Sequence, residues 1–249
     1  MTGQQEDDQR HECIVRISLN EQKESMTAPS TNTKLEGNLI IPKAAEGIVV
    51  FAHGSGSSRH SPRNQYVAQV LNNAGLATLL TDLLTREEEE VDIKTRQHRF
   101  NIDLLSKRLV AVTDWITQNP DTQKLFVGYF GASTGAAAAL VAAAERGNII
   151  SAIVSRGGRP DLAGSKALRN VQAPSLFIVG EKDIQVIGMN ESAMKQLDKV
   201  ERKKLKIIPG ATHLFEEAGT LEEVARLARG WFQCYFLIKK HSQQQQRQQ

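Results

Sequence analysis

Residues 125–146 read LFVGYFGASTGAAAALVAAAER. The first six suit a strand buried on both faces, and the alanine-rich end suits a helix. Between them stands Gly131-Ala132-Ser133-Thr134-Gly135. Gly-x-Ser-x-Gly at a strand-to-helix junction is the pattern of a nucleophile elbow, a tight turn that lifts a serine hydroxyl above the edge of a sheet. Such a turn strains the serine backbone and brings neighbouring chain so close that the flanking positions favour glycine. The helix that follows points its positive end at a reacting carbonyl. The Thr134 amide is then placed to donate to a developing oxyanion. GASTG alone is equally a plain helix N-cap; the strand before it and the helix after it favour the elbow.

Outward from this segment the chain alternates strand and helix patterns. Strands are expected at 13–19, 35–41, 47–52 (GIVVFA), 77–83, 149–154, 175–180 (SLFIVG) and 204–209. Between them, Ile102, Leu105, Leu109, Val112 and Ile116 recur at helical spacing. Helices are also expected from Pro62, at about 188–199 and at 220–237, with a charged loop over 85–99. Near-continuous apolar strands separated by helices predict a mostly parallel sheet covered on both faces. The two N-terminal strands read as an antiparallel pair at one sheet edge. Connections are too short for a large lid domain. The expected organisation is a disordered segment 1–11, one domain over 12–238 and a disordered Gln-rich tail over 239–249.

A serine hydroxyl is a weak nucleophile without a base, and the base needs an orienting acid. Asp183, just past strand 175–180, is the candidate acid, with Asp161 as the alternative; a turn aspartate is the plain structural reading. His213, in PGATHLF after the next strand, is the candidate base. The loop His53-Gly54-Ser55-Gly56-Ser57-Ser58 follows strand 47–52, and the Ser55 amide is the candidate second oxyanion donor. A phosphate-cradling loop would need a P-loop lysine, which is missing there. Arg156 and Arg159, in SRGGRPDL, are candidates for binding a substrate carboxylate or phosphate. Their plain reading is solvation, or pairing with Asp161.

Composition narrows the function. A net charge of +3 and basic residues scattered among acids give no nucleic-acid footprint. Two cysteines, Cys13 and Cys234, fit neither a disulfide framework nor a metal site. No secretory signal and no membrane span are visible, so a cytoplasmic protein is expected. No metal or other cofactor is expected.

The stretches VVFAHGSGSSRHSPRN, LATLLTDLLTREEEE, VGYFGASTGAAAAL, VSRGGRPDLAG, LFIVGEKD and GATHLFEE together resemble the α/β-hydrolase superfamily, and more narrowly the dienelactone-hydrolase-like proteins. The triad order Ser, Asp, His is that of this superfamily. The resemblance implies an α/β-hydrolase fold and hydrolytic chemistry on a small ester or acyl compound. Dienelactone hydrolases themselves carry cysteine in the elbow, where this chain has Ser133, so the dienelactone substrate is not implied. The expected activity is a serine hydrolase working through an acyl-enzyme. The rival readings are an acyltransferase on the same site and a non-catalytic interaction protein on the same fold.

Overall fold

The computed structural model describes residues 11–19 and 34–246 of the 249. The expected disordered segment 1–11 falls outside the described residues except for His11, which begins a strand. Among the described residues, eight strands form one sheet: β1 (His11–Ser18), β2 (Lys34–Ile41), β3 (Gly47–Ala52), β4 (Ala77–Thr81), β5 (Phe126–Ala132), β6 (Ile150–Arg156), β7 (Ser175–Gly180) and β8 (Lys203–Ile208). Their spatial order is β1-β2-β4-β3-β5-β6-β7-β8. β2 runs antiparallel to both its neighbours, and the pairs from β4 to β8 are parallel. This is the α/β-hydrolase fold with an antiparallel N-terminal pair.

The inner strands are apolar throughout because both faces are covered. In β3, Ile48, Val50 and Ala52 join one core and Val49 and Phe51 the other. Helices α1 (Pro62–Asn73) and α7 (Thr220–Gln246) cover one face through Val67, Leu71, Ala225 and Phe232. The opposite face is covered by α3 (Ile102–Gln118) and α4 (Thr134–Glu145), through Leu105, Leu109, Ala138 and Leu140. Each fully buried aliphatic side chain contributes about 1.5–3 kcal/mol. A 3-10 turn (Pro160–Ala163), α5 (Gly164–Leu168) and α6 (Ile184–Met194) complete the chain.

Two expectations need correction. The charged stretch 85–99 is not a loop: Arg86–Thr95 form helix α2. The Thr85 hydroxyl accepts from the Glu88 amide while the Glu88 carboxylate accepts from the Thr85 amide, a capping box that satisfies two first-turn donors. The Gln-rich tail is helical through Gln246, because α7 continues past residue 238. Glutamine loses little rotamer freedom in a helix, so a run of it extends a helix already anchored by packing. Among the described residues, no helix is long and apolar enough to cross a membrane.

Candidate active site

The site forms at the carboxyl edge of the parallel strands. β5 ends at Ala132 and α4 begins at Thr134, so the whole reversal rests on Ser133. Its backbone sits at φ 50° and ψ −120°, a strained region for a residue with a side chain. Close approach explains the flanking glycines. A Cβ on Gly135 would lie 2.1 Å from the Ala52 carbonyl oxygen, and one on Gly131 would lie 2.4 Å from Ala136 Cα. The elbow is tied down by neighbours: the Ser133 amide donates to the Arg156 carbonyl (3.2 Å), and the Arg159 amide donates to the Ser133 carbonyl (3.1 Å).

The candidate acid and base come from the ends of the last two strands, β7 and β8. Asp183 follows β7 and precedes α6; His213 follows β8. Gly180 lets these two loops touch, since a Cβ there would sit 2.4 Å from the Ala211 carbonyl oxygen. His213 Nδ1 lies 2.5 Å from Asp183 Oδ2. Asp183 is mostly enclosed and the imidazole 39% exposed, which leaves the ring accessible to a reactant. The ring packs on Gly157, whose hydrogen would become a Cβ only 3.4 Å from His213 Cε1. Gly157 stands between Arg156 and Arg159, the two residues bonded to the Ser133 backbone, so imidazole and elbow share one corner. Among the described residues, no hydrogen bond joins the Ser133 hydroxyl to His213. Asp161, the alternative acid, is bonded to Arg159.

The 53–58 loop passes directly over the elbow: a Cβ on Gly54 would lie 3.1 Å from Ser133 Cβ. Among the described residues, neither the Ser55 nor the Thr134 amide donates to another protein group. His53 anchors this loop. Its ring is buried, and Nε2 accepts from the Leu83 amide (3.1 Å), which puts the proton on Nδ1 facing the Gly54 carbonyl (3.0 Å). Burial pushes the imidazole below its ordinary pKa, against the pull of that carbonyl and of Asp82 and Glu89. His53 is therefore neutral and structural. Sequence reading placed it in the loop but missed this role; its position directly after a fully buried strand was the available signal.

A cleft of about 390 Å³ opens beside this loop, bounded by Ser55 and Gly56 on one side and by Leu84, Ile93, Arg96 and Leu105 on the other. Helix α2 forms one wall and is held by two ion pairs. Arg99 Nε donates to Asp92 (2.6 Å), and Arg108 Nη2 donates to Glu88 (2.7 Å). Arg99 also reaches the 53–58 loop, within 3.3 Å of where a Gly56 Cβ would lie. Sequence reading missed these anchors because each pairs residues that no local pattern connects.

The two candidate anion-binding arginines differ. Arg159 makes a two-pronged pair with Asp161 at 2.9 and 2.7 Å, the plain structural alternative. Arg156 is buried, and its nearest polar partner is Asn64 Oδ1 at 3.5 Å.

Comparison with known proteins agrees with this fold. A family model described as "Dienelactone hydrolase family" matches residues 35–242. The crystal structure of a dienelactone hydrolase from Anabaena variabilis is 60% identical, with a TM-score of 0.84, covering 91% of this chain and 99% of that one. An esterase of Pyrococcus furiosus shares the fold at 16% identity and a TM-score of 0.71, over 91% of this chain and 92% of that one. A Mycobacterium tuberculosis protein provisionally named a phosphoribosyl transferase is 58% identical over 196 residues, 79% of this chain. That stretch is 43% of the relative, so this chain spans less than half of its length.

Proposed function

The chain belongs to the dienelactone hydrolase family, and from that premise we propose that it is a serine hydrolase cleaving a carboxylic ester or related acyl bond through an acyl-enzyme. Ser133 attacks the carbonyl carbon. His213 Nε2 takes the hydroxyl proton and returns it to the leaving group, while Nδ1–H donates to Asp183, which fixes the tautomer and stabilises the imidazolium. The Ser55 and Thr134 amides receive the oxyanion, and water then releases the acyl group by the same steps in reverse roles. The observation that carries this reading is the His213–Asp183 contact of 2.5 Å beside a serine held at positive φ in the elbow motif. The hydroxyl–imidazole bond has still to form, and such bonds commonly tighten only with substrate in place.

The serine departs from the cysteine of dienelactone hydrolases, so the ester is of a different class or is attacked by a nucleophile that depends fully on its base. The transferase name belongs to the longer relative and describes a protein more than twice the matched length. An ester panel with wild type and Ser133→Ala tests the proposal. The expected result is a fall in turnover of about a thousandfold or more with the circular dichroism spectrum unchanged. Retained esterase activity in Ser133→Ala would refute it.

A further inference from the structure

The 53–58 loop is pinned at both ends to two consecutive residues, Asp82 and Leu83, just beyond β4. At its start, His53 Nε2 accepts from the Leu83 amide (3.1 Å). At its exit, Arg59 grips Asp82 twice: its amide donates to Oδ1 (2.7 Å), and its Nη1 donates to Oδ2. Arg59 Nη2 also donates to Glu36 Oε2 on β2 (2.7 Å). Asp82 is itself fixed, since its amide donates to the Glu36 carbonyl (3.0 Å). Among the described residues Arg59 Nε has no hydrogen-bond partner, so the grip runs through the backbone amide and the two terminal nitrogens. The Arg59 and Asp82 side chains are 15% and 14% exposed. At that depth salt screens an ion pair little, and removing one partner leaves a poorly solvated charge.

What lies between the pins has little of its own to hold it. Residues 54–58 read Gly-Ser-Gly-Ser-Ser, and Gly56 sits at φ 69°. Glycine gives such a segment wide backbone freedom. One turn closes it, the Ser57 amide donating to the Gly54 carbonyl (3.1 Å). The same Gly54 lies over the elbow, against Ser133 Cβ and the Ala132 carbonyl oxygen. The Ser55 amide, the proposed oxyanion donor, thus stands on a segment whose course is set by where its two ends are fastened. The His53 end continues directly from buried strand β3. The Arg59 end has no strand behind it, and α1 begins only at Pro62.

We propose that Arg59 is a positioning residue for the hydrolytic reaction: held by Asp82 and Glu36, it fixes the far end of the 53–58 loop and so aims the Ser55 amide at the developing oxyanion. The oxyanion in this role rests on the hydrolase reading; the grip on the loop does not. Preorganised donors stabilise a transition state because they need no reorientation as charge develops. A loop released at one end must be ordered again at that moment, so the loss falls on the transition state more than on the bound substrate.

The test measures hydrolysis of 4-nitrophenyl butyrate by wild type, Arg59→Met, Arg59→Lys, Asp82→Asn and Arg146→Met. Arg146 supplies the structural control: it makes a two-pronged pair with Asp114 (2.9 and 2.8 Å) at the far end of α4 from the elbow. In Arg59→Met, kcat should fall about tenfold or more while KM changes less than about threefold. Arg59→Lys, which keeps the charge but not the fork, should recover part of the loss. Arg146→Met should lower the melting temperature and leave kcat near that of wild type. A kcat within about twofold of wild type in Arg59→Met, or as large a fall in Arg146→Met, overturns the proposal. Asp82→Asn keeps an acceptor for the Arg59 amide and carries the same comparison should Arg59→Met fail to fold. A second readout needs no turnover. Hydrogen–deuterium exchange should speed up over residues 53–61 in Arg59→Met and stay unchanged over the elbow, residues 128–136. Equal acceleration over both segments, or none over 53–61, overturns the grip. No ester turnover by wild type would refute the hydrolase reading while exchange still decides the grip.

Discussion

The elbow and helix α2 flank the same loop, residues 53–58, yet different forces build them. The elbow is a matter of backbone contact: Gly135 meets the carbonyl oxygens of Ala52 and His53, and Gly131 meets the start of α4. Around it lie strands whose side chains are almost all buried. Helix α2 has one buried residue, Asp92, and stays in place through the pairs Asp92–Arg99 and Glu88–Arg108. A contact-built corner tolerates no added atom. A charge-built wall tolerates change in size but not the loss of one partner. The rigid corner presents the proposed nucleophile, Ser133, and the wall shapes the cleft.

Gly135→Ala should break the corner and give the largest effect. A methyl 2.1 Å from a carbonyl oxygen must displace backbone, which we expect to cost about 3 kcal/mol or more, read as the urea midpoint or as loss of soluble protein. Near-wild-type stability would mean that the elbow is looser than described. Asp92→Ala strikes the wall. It leaves Arg99 unpaired and two backbone amides, of His98 and Arg99, without their acceptor. We expect a loss of about 2 kcal/mol and a raised KM for esters filling the cleft, with the rate of fluorophosphonate labelling at Ser133 falling less than KM rises. A labelling rate that collapses in parallel would show that corner and wall are one unit.

The smallest effect lies at the joint between them, His53. The unfolded imidazole takes a proton as pH falls through its ordinary 6.5, while the folded one, with its pKa lowered by burial, stays neutral. The unfolded state therefore binds more protons in that window. Stability should be full above 6.5 and decline as pH falls below it, until the folded ring protonates as well. His53→Gln should flatten that part of the stability–pH curve. An unchanged curve would assign the dependence to other groups.

The same contrast explains how much was legible beforehand. The elbow, the parallel strands, Asp183 and His213 are each announced by a contiguous pattern: an apolar run ending in a turn residue. Their pairing across 30 residues follows from strand order. Helix α2 was misread because four consecutive glutamates suggest a solvated loop, although Thr85 and Glu88 spell a capping box. Its anchors, Arg99 and Arg108, carry no local sign of their partners. The burial of Arg156 was hidden for a related reason: β6 runs two residues beyond its apolar pattern, carrying a charged side chain inside. The helical tail shows the converse, since low complexity did not prevent α7 from continuing.

The convergence of Ser133, His213 and Asp183 is tested most directly by intact-protein mass spectrometry after treatment with a fluorophosphonate. The account predicts one adduct per chain, mapped to Ser133, absent in Ser133→Ala and formed far more slowly in His213→Ala. Labelling at another residue, or labelling of Ser133 at an undiminished rate without His213, would contradict it.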